Sequence, residues 1–171
     1  MITIFSTPKD FTGEFDIIQR NAFSSWRALS RNIEIIIMGK SKGAKEVTKE
    51  IGALYIPDIP LTKQGTPTIS GLFNVAENFG NNNYYCFLNS DIILSPSFID
   101  AFQTIKKSKK KFLAVAQRYN IDIDSIIDFL NPTESKRFYK SAEDNAKIGS
   151  CSAIDIFCFT KNLYKNDWTR V

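Results

Sequence analysis

The chain has 171 residues, a formal net charge of +4 and a hydrophobic share of 43%. These values are typical of one globular domain, residues 1–171, and they exclude a disordered protein. The sequence has no histidine and only three cysteines, which excludes a zinc site of the usual kind and the nucleophile pairs that depend on histidine.

The first half of the sequence alternates between apolar β-branched runs and helical patterns. From Glu14 onward, apolar residues recur at spacings of three and four up to Leu29, which predicts an amphipathic helix with one face on a core. A glycine at position 52 ends a shorter helical pattern, and a polar loop over residues 61–68 precedes the next one. The predicted strands are Met1–Thr7, Ile33–Met38 and Ala53–Ile56, and the predicted further helices are Lys42–Ile51 and Ile69–Phe79.

The second half begins with Tyr84–Leu88, an apolar run rich in aromatic residues that predicts a buried central strand. The remaining predictions are a helix ending near Lys107, a buried strand over Phe112–Gln117, helices over Ser125–Leu130 and Glu134–Asn145, and a last strand over Ala153–Phe159. The alternation of strands and helices predicts an α/β fold with a mostly parallel central sheet and helices on both faces.

A polar triplet, Asn89-Ser90-Asp91, follows the predicted central strand directly. Side chains two residues apart in an extended segment point the same way, so Asn89 and Asp91 are expected to face the cleft at the carboxyl end of the strand. A carboxylate and an amide oxygen together form a partial shell for Mg²⁺ or Mn²⁺ on a diphosphate. The alternative is a turn in which both side chains bond local backbone groups.

Much of the positive charge lies in one run, Lys106–Lys111. Such a run suits nucleic acid or anionic lipid, but it also suits the solvated end of a helix, and no aromatic residues are interleaved with it as single-strand binders require. We therefore expect no nucleic-acid partner. No apolar run has the length of a membrane span and the first residues do not resemble a signal peptide, so we expect a cytoplasmic protein with no transmembrane segment and with buried free thiols.

Three common nucleotide-binding motifs are missing: the glycine-rich dinucleotide fingerprint, the phosphate-binding loop and the acidic cluster of receiver-type sites. Other residues form an ordered set that covers nearly the whole chain. They are Thr7-Pro8-Lys9, Gln19-Arg20-Asn21-Ala22, Ser25-Trp26, Ile35–Gly39, Gly65-Thr66-Pro67, Asn89–Ile92, Gln117-Arg118 and Asp155-x-Phe157-x-Phe159. This set resembles the GT-A class of nucleotide-sugar-dependent glycosyltransferases, within the nucleotide-diphospho-sugar transferase superfamily, whose fold is Rossmann-like.

The resemblance implies that the triplet after the central strand holds a divalent metal ion, Mn²⁺ or Mg²⁺, on the diphosphate of the donor. In this sequence an amide, Asn89, stands where the family has its first acid, so Asp91 is the expected principal ligand. GT-A enzymes usually continue with segments that shape the acceptor site, and the resemblance therefore implies a version reduced at its C-terminus.

The resemblance also implies a set of donor-binding residues. They are Thr7, Pro8 and Lys9 near the base and ribose, Gly39 after the second strand, Lys63, Gly65 and Thr66 before the third helix, Asn89 and Ser90 after the central strand, and Arg118. Glycine at position 65 lets backbone approach a ligand closely. Arg118 is suited to clamp the diphosphate, or alternatively to pair with a structural carboxylate such as Asp122. For Thr7, Pro8 and Lys9 the alternative is an ordinary turn that ends the strand. For Lys63, Gly65 and Thr66 the alternative is an ordinary loop that leads into a helix.

Asp155 is an acid inside an otherwise apolar strand pattern. Burial of such a charged side chain destabilises the fold unless it faces a polar cleft or is paired. An apolar setting also raises the pKa of the carboxyl group toward the range that suits a general base. By the resemblance, Asp155 is the catalytic residue that takes the proton from the acceptor hydroxyl. The alternative is an acid at a strand end that bonds backbone amides.

The expected activity is transfer of a sugar from a nucleoside-diphosphate sugar to an acceptor hydroxyl of a glycan or another molecule, with help from a divalent metal. The alternative is a catalytically silent module of the same fold that binds a sugar nucleotide or a protein partner. A nucleotidyltransferase is disfavoured because no glycine-rich loop with Arg or Lys follows the first strand. The sequence leaves open the sugar, the base, the acceptor, whether transfer inverts or retains the configuration at the anomeric carbon, and the oligomeric state.

Overall fold

A computed structural model of the protein describes residues 1–163 and shows the predicted alternation of strands and helices. The strands are β1 (Thr3–Ser6), β2 (Glu34–Met38), β3 (Leu54–Ile56), β4 (Tyr84–Leu88), β5 (Leu113–Gln117), β6 (Tyr119–Asn120), β7 (Lys147–Ile148) and β8 (Ile154–Thr160). The helices are α1 (Glu14–Leu29), α2 (Ala44–Glu50), α3 (Ile69–Phe79), α4 (Ser97–Ser108) and α5 (Pro132–Asn145).

Six of the strands form one sheet in the order β3-β2-β1-β4-β8-β5. The pairs among β3, β2, β1 and β4 are parallel, whereas β8 runs antiparallel to both of its neighbours. The predicted mostly parallel sheet is therefore confirmed, and β5 runs in the same direction as β4. The short strands β6 and β7 form a separate antiparallel pair, which the sequence patterns did not indicate.

Helices cover both faces of the sheet, as predicted, and alternate residues of β2 show how the faces divide. Ile35 and Ile37 belong to a core that also takes its buried residues from α1, α2 and α4. Ile36 and Met38 belong to a second core, on the opposite face, that packs against α3. Strands buried on both faces give continuous apolar runs, which is why the sequence predicted β2 and β4 as strands.

The strand β5 is not buried, although its apolar sequence predicted a buried strand. It lies at the edge of the sheet, and the side chains of Leu113 and Val115 are 45% and 50% exposed. The basic run stands just before it. Lys106 and Lys107 lie in the last turn of α4, and Lys109–Lys111 are exposed between α4 and β5.

Residues 125–130 do not form the predicted helix but run as an irregular segment between β6 and α5. The backbone of this segment is held by the side chain of Asn21 in α1, which replaces the hydrogen bonds that a helix would supply. The following helix is confirmed. It begins at Pro132, and the Asn131 side chain caps it by accepting hydrogen bonds from the amides of Thr133 and Glu134.

The three cysteines are free thiols, but only two of them are buried as expected. Cys86 of β4 and Cys158 of β8 are register partners in the sheet, and burial raises the pKa of the Cys86 thiol. Cys151 is exposed, in the turn before β8. Among residues 1–163, no helix combines the length and the apolarity that a membrane crossing requires.

Glu34, at the start of β2, organises the loop before the central strand. Its carboxylate accepts hydrogen bonds from the Thr3 hydroxyl, from the backbone and side-chain amides of Asn81, and from the side-chain amide of Asn82. Burial tends to raise the pKa of Glu34, but these hydrogen bonds outweigh it and hold the pKa below its ordinary value of 4.5.

Because the folded-state pKa of Glu34 is depressed, its contribution to stability is present above about pH 4.5 and is lost as the pH falls through the folded pKa. We expect Glu34→Gln to flatten the loss of stability between neutral pH and about pH 3, measured by urea unfolding across that range. The control Glu46→Gln changes an exposed carboxylate of α2 and should keep the wild-type slope. A wild-type slope in Glu34→Gln would contradict this role.

Candidate functional site

Most of the sequence-predicted residues lie at one edge of the sheet. Strands β1, β2, β3, β4 and β5 all end at this edge, and the antiparallel β8 begins there. Thr7, Pro8 and Lys9 follow β1, Gly39 follows β2, Asn89, Ser90 and Asp91 follow β4, Arg118 follows β5, and Asp155 is the second residue of β8. Open α/β sheets bind ligands outside the carboxyl ends of their strands, so this edge is the candidate site.

Three of these residues form a connected group, here called the Asp155 cluster: Asn89, Arg118 and Asp155. The Oδ1 of Asp155 accepts a hydrogen bond of 2.6 Å from the Asn89 side-chain amide, and its Oδ2 accepts one of 2.7 Å from Nη1 of Arg118. The backbone amide of Asn89 also donates to the Asp155 carbonyl, over 3.2 Å. The cluster arises from the register, because Leu88 pairs with Ile156 and the next residues outward are Asn89 and Asp155.

The partners of Asp155 differ from those expected. Asp155 as a whole residue is 7% exposed, and its carboxylate is paired rather than alone in an apolar setting. Arg118 pairs with Asp155 and not with Asp122, and its Nε donates to the Asn120 side chain over 2.9 Å. The Arg118 side chain is still 39% exposed, so part of its guanidinium remains accessible from solvent.

Asp91 is exposed and makes no hydrogen bond or ion pair with the rest of residues 1–163. Asn89, two residues earlier, does not face solvent freely, because its amide nitrogen is committed to Asp155. Ser90, between them, donates from its hydroxyl to Oε1 of Gln19 over 2.9 Å. Within the triplet, Asn89 and Ser90 are thus fixed by internal partners, whereas Asp91 is free to contact solvent or a ligand.

Gln19 of α1 is a positioning residue. It belongs to the set of residues that carries the family resemblance, but the sequence patterns gave it no role. It is 1% exposed, and its Oε1 accepts from the Lys9 amide over 2.7 Å as well as from Ser90. Its Nε2 donates to the Lys9 carbonyl over 3.1 Å. One side chain therefore ties the segment after β1 to the segment after β4. The signal in the sequence was a polar residue on the buried side of an amphipathic helix.

Three further residues of α1 hold other segments of the site. Asn21 donates to the Ser125 carbonyl and accepts from the Ile127 amide, both over 2.8 Å. The Ser25 hydroxyl accepts from the Leu94 amide, and the Trp26 indole donates to the Ile92 carbonyl over 2.7 Å. The side chains of Gln19, Asn21, Ser25 and Trp26 are buried, and together they hold the segment after β1, the segment after β4 and the segment before α5.

The segment after β1 lies against the end of β2. Gly39 adopts a φ of +96°, and a methyl group on it would lie 3.3 Å from the Thr7 hydroxyl. Pro8 is buried, and its carbonyl accepts from the Ser41 hydroxyl over 2.6 Å. Lys9 is exposed, with its ammonium 4.3 Å from the centre of the Phe15 ring. The positive φ therefore favours glycine at position 39, and a larger residue there would also crowd the Thr7 hydroxyl.

The loop that carries Lys63, Gly65 and Thr66 is a separate exposed turn. The Thr62 amide donates to the Thr66 carbonyl, and Gly65, at a φ of +84°, donates to the Thr62 carbonyl. Within the described residues, the hydrogen bonds of residues 62–66 stay inside this loop, so the structure does not join these three residues to the Asp155 cluster. The loop leads into α3, whose start is capped by the Thr68 hydroxyl.

A cleft of about 920 Å³ opens beside Asp91 and Arg118, on the face of the sheet that carries α4 and α5. Tyr139 of α5 fixes one side of it, because its hydroxyl donates to the Leu94 carbonyl over 2.8 Å. Burial raises the pKa of Tyr139 to about 12, so the hydroxyl keeps its proton at neutral pH. No feature of the sequence indicated this cleft.

No model of a protein family matches the sequence, and no curated protein matches it. Among solved structures, CMP:2-keto-3-deoxy-manno-octonic acid synthetase complexed with CTP aligns with a TM-score of 0.51 and 11% identity, over 95% of this chain and 74% of that chain. Glucosyl-3-phosphoglycerate synthase from Mycobacterium tuberculosis, in complex with Mg²⁺ and UDP, gives a TM-score of 0.45 and 10% identity, over 64% of this chain.

The chain aligns with only 40% of the length of the Mycobacterium tuberculosis enzyme. The glycosyltransferase GlyE from Streptococcus pneumoniae gives a TM-score of 0.45 and 12% identity, with 84% of this chain and 39% of that chain covered. The alignment with the CMP:2-keto-3-deoxy-manno-octonic acid synthetase shows a shared fold, and the expected Rossmann-like fold is confirmed. Identities this low establish a shared fold rather than a shared reaction.

The role of Gln19 is testable by Gln19→Met, which keeps the length of the side chain and removes its polar atoms. The Ser90 hydroxyl and the Lys9 backbone then lose their partner, and we expect the free energy of unfolding to fall by about 1–3 kcal/mol in urea titrations. The matched control Gln64→Met changes an exposed glutamine and should stay within about 0.5 kcal/mol of wild type. Equal stability of the two variants would show that Gln19 does not hold the site together.

Proposed function

We propose that the chain binds a nucleoside-diphosphate sugar at the carboxyl edge of its sheet and transfers the sugar to a hydroxyl group of an acceptor, with a divalent metal ion at Asp91. The observation that carries the proposal is the state of the triplet after β4. Asp91 is exposed and has no partner among residues 1–163, whereas Asn89 is held in the Asp155 cluster. A carboxylate left without an internal partner at this edge is available to a ligand.

The donor atoms at the triplet fit Mg²⁺ or Mn²⁺ as part of a shell. Asp91 supplies a carboxylate, and the Asn89 side chain, which uses its nitrogen for Asp155, has its carbonyl oxygen left. These hard cations prefer oxygen ligands, and Mg²⁺ is commonly held by one or two carboxylates together with substrate phosphates. No group of three His, Cys, Asp or Glu side chains suited to a metal occurs in the described chain, so phosphate and water oxygens complete the shell in this proposal. A bound metal neutralises negative charge on a departing diphosphate.

The donor contacts proposed for the protein follow from the positions of its cations and backbone. Arg118 has its Nη1 and Nε committed, and its remaining donors suit a phosphate oxygen. Lys9 is exposed at the same edge. The remaining proposed donor contacts are Thr7, Pro8 and Gly39 for the base and ribose, Lys63, Gly65 and Thr66 for phosphate, and Ser90 beside the metal.

In the proposed reaction, the oxygen of the acceptor hydroxyl forms a bond to the anomeric carbon as the bond from that carbon to the diphosphate breaks. The nucleoside diphosphate leaves with the bonding electrons, and the hydroxyl proton passes to Asp155. Each carboxylate oxygen has two acceptor positions, so Asp155 is able to receive the hydroxyl beside Asn89 or Arg118. Arg118 and Asn89 fix the orientation of the carboxylate for this step.

A second candidate, a silent module that binds a sugar nucleotide without transfer, is favoured by the pairing of Asp155. Both of its oxygens already have partners, and its side chain is 10% exposed, as expected of an acid that positions Arg118. A thermal-shift screen of nucleoside diphosphates and their sugars, with and without Mn²⁺, tests binding for both candidates. A ligand at a hundredfold excess over its Kd should stabilise the fold by about 2.7 kcal/mol.

Asp91→Asn tests the metal site. We expect it to abolish the Mn²⁺-dependent part of nucleotide binding, measured by calorimetry with and without Mn²⁺, because the carboxylate charge is lost while the shape of the side chain is kept. The matched control Asp100→Asn changes an exposed acid in the first turn of α4 and should bind as wild type does. Unchanged affinity of Asp91→Asn in Mn²⁺ would remove Asp91 from the proposal.

Asp155→Asn separates the enzyme from the silent module. A general base acts in the transition state, so its loss should lower kcat by about 10²- to 10⁴-fold with little change in donor affinity. The control Asp124→Asn changes an exposed acid and should keep wild-type rates. Wild-type protein that binds sugar nucleotides but transfers no sugar to any acceptor would establish the silent module, and unfolding of Asp155→Asn would identify a structural acid.

A further inference from the structure

One edge of the sheet, along β5, presents free backbone groups. In the described part of the chain β5 pairs with β8 alone. The Thr160 amide donates to the Phe112 carbonyl, which makes these two residues a hydrogen-bonded pair of the antiparallel ladder. Such pairs recur at every second residue, so Ala114 also faces β8, and the backbone of Leu113 and of Val115 points away from the sheet. The N–H and C=O groups of these two residues are therefore available to another strand.

Apolar side chains stand beside this free backbone. Leu113 and Val115 lie on the same face of β5, two residues apart, and are 45% and 50% exposed. Their register partners on β8 are Phe159 and Phe157, so this face is the one that carries α3. Phe157 is half-buried, and the centre of its ring lies 6.4 Å from that of Phe87. The second core thus continues to the edge of the sheet as a partly exposed apolar strip.

An extended polypeptide segment fits both features. Added as a strand, it would hydrogen-bond to the backbone of Leu113 and Val115 and place every second side chain on the apolar strip. A lipid surface or a nucleic acid has no row of alternating amide donors and carbonyl acceptors to match this edge. The edge therefore favours a peptide over other anionic partners of the neighbouring lysines.

The charge beside the edge restricts which segment fits. Lys109–Lys111 are exposed directly before β5 and form no ion pair within residues 1–163, and the last turn of α4 adds Lys106 and Lys107. Lysine at a sheet edge disfavours pairing with a neutral or basic strand. The same charge attracts a segment that carries aspartate or glutamate beside its apolar residues. The basic run therefore selects an acidic strand.

We infer that β5 binds an extended acidic segment of a partner protein, in which apolar residues alternate with polar ones, as an additional strand of the sheet. Backbone pairing and the apolar strip supply affinity, and the lysines supply the preference for acidic residues. The inference does not depend on the proposed function, because Leu113, Val115 and the lysines lie outside the proposed donor site.

The test uses a fluorescent synthetic peptide in which valine and threonine alternate over five residues, with two glutamates at each end. It is titrated with the full chain and followed by fluorescence anisotropy. We expect saturable binding that weakens as salt is added, and at least tenfold weaker binding of a peptide with lysines in place of the glutamates. Changing Lys109–Lys111 together to glutamine should weaken binding at least tenfold. The matched control changes Lys42, Lys45 and Lys49, exposed lysines in and just before α2, and should alter binding less than twofold.

Backbone pairing is tested separately from charge. Alternate amides of an extended peptide point in opposite directions, so only one set faces β5. We compare a peptide N-methylated on its valines with one N-methylated on its threonines, and expect their affinities to differ at least tenfold. Val115→Pro removes a donor from the free edge, where strands tolerate proline, and should weaken binding at least tenfold. Circular dichroism establishes that each protein variant is folded.

Equal binding of the two methylated peptides, equal binding of the acidic and basic peptides, or equal effects of the two triple lysine changes would each overturn the inference. Phosphatidylcholine vesicles with phosphatidylglycerol and a single-stranded oligonucleotide are titrated at the same salt concentration. Binding of either as tight as that of the peptide, and lost when Lys109–Lys111 are changed, would identify a general anion surface and also overturn it.

Discussion

The site depends on the need to satisfy buried polar groups on a single helix, α1. Its side chains Gln19, Asn21, Ser25 and Trp26 lie inside the protein. A buried polar atom without a hydrogen-bond partner lowers the free energy of unfolding. The partners of these side chains are backbone groups of three different loops together with the Ser90 hydroxyl. Among residues 1–163, no buried side-chain nitrogen or oxygen lacks a hydrogen bond. The helix that completes the core therefore also decides where the loops of the candidate site stand.

The sequence predicted the parts of the fold that rest on local patterns. The bounds of β4 and α3 agree with the structure residue for residue, because an aromatic run and a helical stripe with a Thr68 cap are strong local signals. The burial of β5 was wrong, since its apolar residues do not reveal that β8 separates it from β4 and leaves it at the edge. The irregular segment near Ser125 was missed for a similar reason: Asn21, more than a hundred residues earlier, supplies its hydrogen bonds.

The candidate site was predictable in position but not in connectivity. Strand ends are visible in a sequence, so Asp91 and Arg118 were expected at the edge where the structure has them, whereas Asp155 lies at the start of its strand and reaches this edge only because β8 is antiparallel. That Asp155 pairs with Arg118 and Asn89 follows from the antiparallel insertion of β8, which no local pattern encodes. The pairing also explains why position 89 carries an amide. A carboxylate at this position would lie 2.6 Å from the Asp155 carboxylate and repel it, whereas the Asn89 amide donates a hydrogen bond to Asp155.

The exposed edge of the sheet has a consequence for how copies of the chain meet. An edge strand with apolar residues such as Leu113 and Val115 is a template for pairing with another chain. Three exposed lysines, Lys109–Lys111, stand directly before this strand, and charged side chains at a sheet edge disfavour such pairing. The positive charge before β5 therefore works against edge-to-edge association of two copies.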